Sequence, residues 1–238
     1  MQIKILDTGP ASAADNMAID SVLLRDIARE AHPILHFYEW SSPAATYGHF
    51  IQPQDFLTEG ADKQLDLAKR PTGGGIIFHL TDLAFSMLIP ASHPWYSTNT
   101  LANYEVINKR IMEAILKLKT DIAPPMLLPH ETEPLDAACQ SFCMAKPTIY
   151  DVMIGNKKAA GGAQRRTKEG FLHQGSIHIA IPQYSAIQCV LKPGTCIYDS
   201  MMQHSYSILG ATYTPQELAD CRASLKSVLI DTMLLAAT

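Results

Sequence analysis

Residues able to do chemistry gather at three places in the chain. The first is Gly73-Gly74-Gly75. Three consecutive glycines strip every Cβ from one stretch of backbone. A ligand can then approach the main chain closely, and bare N–H groups can meet an anion or a polarised carbonyl. No Gly-Lys-Ser/Thr follows, so this is not a P-loop, and it is not a G-x-G-x-x-G turn opening a helix. An ordinary loop is the equal alternative on local grounds.

The second place is Gly155-Asn156-Lys157-Lys158-Ala159-Ala160-Gly161-Gly162-Ala163-Gln164-Arg165-Arg166. Lys158 stands among small residues that would let a substrate pack against the backbone while the ammonium reaches a carbonyl or phosphate oxygen. A solvated hairpin lysine fits the same pattern. The third is Cys143, in Phe142-Cys143-Met144-Ala145-Lys146-Pro147-Thr148-Ile149-Tyr150. A free thiol is only a few per cent thiolate at neutral pH. A nucleophilic Cys143 therefore needs a cation or base beside it, and Lys158 or His79 would serve. Most lone cysteines are small buried hydrophobes instead.

Other chemistries find little footing. The nine histidines show no H-E-x-x-H spacing. His173 and His178 flank Gly175, and His79 ends another strand; each reads as structural. No G-x-S-x-G occurs. The five cysteines, 139, 143, 189, 196 and 221, are odd in number and hold no C-x-x-C, so neither a disulfide framework nor a standard zinc site is expected.

The 238 residues suffice for one large domain, with 47% hydrophobic residues spread along the chain. No apolar run approaches the ~20 residues that span a bilayer. Asp7 comes too early for a signal-peptide core. A soluble, cytoplasmic protein with no membrane partner is expected. The net charge of −4 argues against a nucleic-acid binder. The one dense basic cluster (Lys157, Lys158, Arg165, Arg166, Lys168) suits a single anionic group or an acidic partner surface.

The elements that must position these residues follow from periodicity. A helix is expected from about Asn16 to Arg29, capped by Asp15 or Asn16. Strands are expected over Ile34–Trp40 and near Ala45–Phe50. Residues 51–70 read as irregular with some helix. The glycine loop runs into Ile76–His79, and Ala84–Ile89 follows so closely that a hairpin is expected. A helix spans about Thr100 to Leu118. Residues 122–134 hold four prolines and read as an extended connection. A hairpin over 148–162 turns at Gly155-Asn156. Phe171–Ile181 is a strand in which Gly175 marks a bulge or close approach. Ser185–Leu191 is a short helix, and Thr214-Pro215-Gln216-Glu217 is a capping box opening the last one. Antiparallel strands beside separate helices point to an α+β layer fold.

In order, these segments resemble the biotin/lipoyl-protein ligase superfamily, in particular the lipoate–protein ligases and the protein octanoyltransferases. Asn16-Met17-Ala18-Ile19-Asp20 looks like its first-helix motif. Phe37-Tyr38-Glu39-Trp40 and Pro43 to Gly48 resemble its next strand pair. Arg70-Pro71-Thr72-Gly73-Gly74-Gly75-Ile76-Ile77-Phe78-His79 resembles its R-x-x-G-G-G-x-x-x-H segment. Lys158-Ala159-Ala160-Gly161-Gly162-Ala163-Gln164-Arg165 is similar to K-I-x-G-x-A-Q-R, and His173-Gln174-Gly175-Ser176-Ile177 to H-x-G-S-I.

The resemblance implies a single catalytic domain over 1–238 without a C-terminal accessory domain. It implies a mixed, largely antiparallel sheet flanked by helices, the class II synthetase-like fold of the biotin and lipoate ligases. It implies an apolar acyl tunnel beside the glycine loop, with Lys158 on the acyl carbonyl. Substrate contacts would come from Arg70, Gly73, Gly74, Gly75, His79, Gly161, Ala163, Gln164, Gly175 and Ser176, with no resident metal. The acceptor would be a lysine on a lipoyl domain of a 2-oxoacid dehydrogenase complex or on the glycine-cleavage H protein.

Two chemistries compete. A lipoate–protein ligase, the first reading, uses ATP with Mg and free lipoic acid. A cysteine-dependent transferase takes octanoate from octanoyl-carrier protein, with acyl carrier protein as partner. Gly75 resembles the ligase loop. Arg70-Pro71-Thr72, His79-x-x-Asp82-Leu83-x-Phe85-Ser86 and Cys143-x-x-x-Pro147-Thr148-x-Tyr150-Asp151 resemble the transferase branch. A biotin–protein ligase or a non-catalytic acyl-binding homologue completes the alternatives; retention of Lys158 beside Gly161 weighs against the latter.

Overall fold

The computed structural model describes residues 2–131, 133–210 and 212–235. Its ten strands are β1 (Lys4–Ala11), β2 (Ile34–Trp40), β3 (Ala44–Tyr47), β4 (Asp66–Lys69), β5 (Ile77–His79), β6 (Asp82–Pro90), β7 (Met126–Leu127), β8 (Val152–Ile154), β9 (Lys157–Arg166) and β10 (Gly170–His178). Seven form one sheet in the order β1-β2-β6-β10-β9-β8-β7, and β4-β3-β5 form a second. In the large sheet only β1–β2 is parallel. The mixed, largely antiparallel sheet with flanking helices is thus present.

The period-2 alternation of the central strands sorts their side chains between two helical layers. Leu35, Phe37, Phe85, Met87, Ile89, Phe171 and Ile177 face one way. Helices α2 (Thr100–Leu118) and α5 (Pro215–Leu235) cover them with Ile107, Ile111 and Ile115 and with Leu225, Leu229 and Met233. Truncating one of these to Ala removes about 2–5 kcal/mol. The opposite face meets helix α1 (Ala13–Asp26), where Met17 packs with Tyr38 and Ala84, and Leu24 packs with Ile34 and Leu88. The strands β6 and β10 are buried along their whole length, as befits central strands covered on both faces.

Several local expectations hold. The hairpin β8–β9 turns at Gly155, whose φ is +58°. In the capping box, the Thr214 hydroxyl donates to Glu217 Oε2 at 2.8 Å and accepts from the Glu217 N–H at 3.2 Å. Gly175 is a close approach and not a bulge: its pairing with β6 and β9 is in continuous register, and a Cβ there would stand 2.5 Å from the Phe85 ring.

Others need correction. The residues 77–79 and 82–90 do not form a hairpin. The strand β5 pairs with β3 in the small sheet, while β6 pairs with β2 and β10 in the large one. Leu80-Thr81 carries the chain between sheets, and the Thr81 carbonyl accepts from the Ile179 and Ala180 N–H groups. The cap of α1 is Ser12, which accepts from Asp15 N at 3.1 Å, not Asp15 or Asn16. Residues 51–70 contain β4, and a further helix, α4 (Ile197–His204), follows α3 (Tyr184–Ile187). No described helix is long and apolar enough to cross a membrane.

Candidate functional site

The register of β9 against β10 builds the floor of the site. Gly161 pairs with Ser176, and Ala163 with Gln174, so these four share one face. Small residues on β9 leave that face low. Alternation sends Gln164 and His173 to the other face, where the Gln164 amide meets His173 Nδ1 at 2.9 Å.

The wall opposite is a segment far away in sequence. After one 3-10 turn at Ala138–Ser141, Phe142 bridges Ile76. Ile76 N donates to Ser141 O at 2.6 Å, and Cys143 N donates to Ile76 O at 2.9 Å. These two bonds stitch Cys143 onto the end of the glycine loop.

Lys158 rises between floor and wall. Its ammonium stands 2.8 Å from Asp151 Oδ2 and donates to the Cys143 carbonyl at 2.9 Å. An ammonium has three N–H donors. The third has no partner among the described residues. Asp151 is held in turn by the Thr148 N–H at 2.6 Å and the Thr148 hydroxyl at 3.0 Å. Burial pushes the Asp151 carboxyl above its usual range, against the opposing pull of Lys158 and Thr148. Tyr150, at φ 68°, turns the chain just before Asp151, and its carbonyl is fixed by Asn108 at 2.7 Å. Gly161 makes room for the pair: a Cβ there would overlap the Asp151 carboxylate and lie 2.6 Å from Lys158 Cε.

Arg70 organises the loop. Its Nη2 donates to the carbonyls of Gly73 at 2.9 Å and Gly75 at 2.7 Å, and its Nη1 to Thr46 O and Oγ1, both at 2.9 Å. The N–H groups of residues 73–75 bond to no described residue. A Cβ on Gly74 would lie 3.2 Å from Arg70 Nη2 and 3.6 Å from Cys143 Sγ, which places the thiol close to the guanidinium. Burial lowers the Arg70 guanidinium from its ordinary value, and the adjacent Cys143 acts against that shift. The cation against the thiol is therefore Arg70. Lys158 meets the carbonyl of the same residue, and His79 is turned elsewhere.

His79 Nδ1 donates to Asp82 Oδ2 at 2.9 Å, which leaves Nε2 to meet the Thr46 hydroxyl at 2.8 Å. Burial would raise Asp82, but His79, Ser176 and Arg222 hold it below the usual carboxylate range. Trp40 stacks on His79 at 4.3 Å. His178 Nδ1 donates to the Lys158 carbonyl at 3.1 Å, and burial drives it down to about 4. Burial alone takes His173 to about 3. Both are uncharged interior groups at neutral pH.

These residues enclose one cavity of about 240 Å³. Lys158, Cys143, Arg70, Gly74, Gly75, His79, Gly161, Ala163, Gly175 and Ser176 line it. Gly73 and Gln164 do not; Gly73 contributes its carbonyl to Arg70, and Gln164 faces the far side of β9. Apolar side chains, among them Met17, Tyr38, Ile51, Ile77 and Phe142, complete the lining. Several polar residues of the site, among them Asp151, Gln174 and Thr46, are assigned no role by sequence reasoning. Asp151 immediately precedes β8 and enters the sequence reading only as the last position of the Cys143–Asp151 segment, with no role given to it. Gln174 and Thr46 sit at ordinary strand positions. The cavity is thus a largely apolar chamber in which the Cys143 thiol, the Arg70 guanidinium and the Lys158 ammonium come together; Lys146, also in the lining, is paired with Glu131 at 3.1 Å.

The chain matches the model of the lipoyl protein ligase A/B catalytic domain over residues 12–227. It is 32% identical over 177 residues to an octanoyltransferase LipM of Staphylococcus aureus, a match covering 72% of this chain and 64% of that protein. To the octanoyltransferase LipM of Bacillus subtilis it is 29% identical, covering 84% of this chain and 74% of the relative. The chain thus spans less than two thirds of the length of the first of these. In fold it is similar to the bi-partite lipoate protein ligase solved with its E2 lipoyl domain from Thermoplasma acidophilum. That likeness has a TM-score of 0.66 at 19% identity and covers 98% of this chain and 84% of that one. The chain belongs to the lipoyl protein ligase A/B catalytic domain family.

Proposed function

We propose that this chain transfers an octanoyl group from a carrier-protein thioester to the acceptor lysine of a lipoyl domain, through a thioester on Cys143. The observation that carries this reading is the meeting of Cys143, Arg70 and Lys158 at the polar end of one apolar cavity. The names of the two LipM relatives support it and move the transferase ahead of the ATP-dependent ligase, which the sequence alone places first.

The chemistry balances in two acyl exchanges. In the first, the Cys143 sulfur attacks the octanoyl carbonyl. The new C–S bond forms as the carrier's C–S bond breaks, and the carrier thiol departs with the proton that Cys143 gives up. Arg70 supports the thiolate. In the second, the unprotonated amine of the acceptor lysine attacks the Cys143 thioester. The amide forms, the Cys143–acyl bond breaks, and the thiol regains a proton from the amine. In both, negative charge develops on the carbonyl oxygen. The free N–H of Lys158 and the bare amides of Gly74 and Gly75, which line the cavity, are donors fixed in advance, which lowers the barrier without reorganisation. The apolar walls take the alkyl chain, each buried methylene contributing about 0.8 kcal/mol.

The family description and the E2 lipoyl domain named with the T. acidophilum ligase support a lipoyl domain as the acceptor in this reading. The test offers a purified lipoyl domain to the enzyme with octanoyl-carrier protein and no ATP, and separately with lipoic acid, ATP and Mg. Modification in the first arm supports the transferase. Modification only in the second returns the ligase reading, and modification in neither rejects both.

A further inference from the structure

One buried polar network touches the site without containing a reacting group. Asp20, on α1, is fully buried. Its Oδ1 accepts from His36 Nδ1 at 2.8 Å. Its Oδ2 accepts from the Ser86 hydroxyl at 2.5 Å and from Gln174 Nε2 at 2.7 Å. The other end of the Gln174 amide, Oε1, accepts from the Thr72 hydroxyl at 2.7 Å. His36 Nε2 meets Thr8 Oγ1 at 3.0 Å, which closes the network at the outer strand.

The direction of each bond follows from the donor inventory. A carboxylate only accepts. Gln174 must therefore turn its NH2 toward Asp20 and its oxygen toward Thr72, and the Thr72 proton is committed to Gln174. Thr72 immediately precedes Gly73-Gly74-Gly75, which have no side chains to hold them. Side-chain bonds reach residues 72–75 from only two places among the described residues: Arg70, through the carbonyls of 73 and 75, and Gln174, through the Thr72 hydroxyl. The Thr72 carbonyl also accepts from His49 N at 3.2 Å. A helix–sheet contact needs no carboxylate, and burying one is unfavourable unless it is fully bonded. Apolar residues at these positions would pack as well.

We propose that Asp20 is a positioning residue for the glycine loop: acting through Gln174, it fixes the Thr72 hydroxyl and with it the amides that face the reacting carbonyl. This rests on the acyl-transfer reading for its kinetic consequence, and has a second readout that does not.

The experiment is a double-mutant cycle of Asp20→Asn and Thr72→Val on transfer to a lipoyl domain, with hydrogen exchange of residues 72–76 measured on the same proteins. Weakening a charge-assisted bond is expected to lower kcat about tenfold in each single variant, with KM for the acceptor unchanged. In the Thr72→Val background, Asp20→Asn is expected to cost less than about twofold more, because the path is already cut. Thr72→Ser, which keeps the hydroxyl, should restore most of the rate. Amide exchange at 72–76 should speed up in Asp20→Asn. Additive losses, or no loss in Asp20→Asn, would overturn the proposal. If the wild type transfers nothing, the functional reading falls, and unchanged exchange at 72–76 alone then rejects the positioning role. Should Asp20→Asn fail to fold, Gln174→Met replaces it in the same cycle, and additivity there is equally fatal.

Discussion

The Asp151 carboxylate stands 2.8 Å from the Lys158 ammonium, with both side chains almost wholly buried at 4% and 6% exposure. A pair so placed is worth little as a source of stability, because desolvation offsets attraction. Its consequence is orientation. Asp151 and the Cys143 carbonyl take two of the three Lys158 donors, and the third is left for a substrate oxygen.

Removing one partner tests this. Asp151→Asn leaves a buried ammonium uncompensated, at a cost of about 3–5 kcal/mol, or on the order of 10 °C in melting temperature. Lys158→Ala is expected to lower kcat about 10²–10³-fold, the usual effect of deleting one oxyanion donor. Lys158→Arg should not restore the rate, since a planar fork cannot occupy the corner that an ammonium fills. Steady-state kinetics beside thermal melts separate the two effects.

A second prediction concerns Gly161, where any Cβ would collide with Asp151 and Lys158. Gly161→Ala is expected to cost about 1–3 kcal/mol in stability, as overpacking does. It should also reduce kcat by more than tenfold through displaced Lys158, since one tenfold step is about 1.4 kcal/mol of transition-state stabilisation. Normal turnover in a folded Gly161→Ala protein would remove Lys158 from the site.

Two buried histidines set an acid-side stability slope. Folding holds His173 at about 3 and His178 at about 4, against an ordinary 6.5. The unfolded chain binds these protons and the folded chain does not, so stability is lost as pH falls below 6.5 and the loss levels off only below about 3 to 4. At pH 5 each histidine removes about 2 kcal/mol relative to pH above 7. Asp151, held high by burial, works in the opposite sense, and Asp82, held low, adds its loss only below the ordinary carboxylate range. Chemical denaturation at pH 7.5 and pH 5 measures the slope, and His173→Gln should shrink it by about half. An unchanged slope would place the charge elsewhere.

How much of the site is legible in the sequence depends on how local each signal is. Lys158, the glycine run and Cys143 are marked as candidates by type and spacing, and the ordered family resemblance is what gives them a role over an ordinary loop, a solvated lysine and a buried thiol. The β8–β9 hairpin is plain, because Gly155-Asn156 marks a turn that needs no distant contact. Asp151 is present in the Cys143–Asp151 segment, but its role is not legible there: it depends on the turn at Tyr150 and on the reach of a lysine across the hairpin. Asp20 and Gln174 likewise acquire meaning only when α1 is laid across β6 and β10. The false hairpin between β5 and β6 has the same origin. Residues 77–79 and 82–90 read as adjacent strands, and nothing in Leu80-Thr81 says that they enter different sheets. The polar strand β4 escapes notice because Asp66-Leu67-Ala68-Lys69 has no strand propensity to show.

The most direct measurement is the intact mass of the purified protein after incubation with octanoyl-carrier protein, followed by addition of a lipoyl domain. The account predicts one octanoyl adduct, mapped to Cys143, absent in Cys143→Ala and discharged when the acceptor is added. An enzyme that modifies the lipoyl domain at full rate as Cys143→Ala, with no adduct at any time, would contradict it.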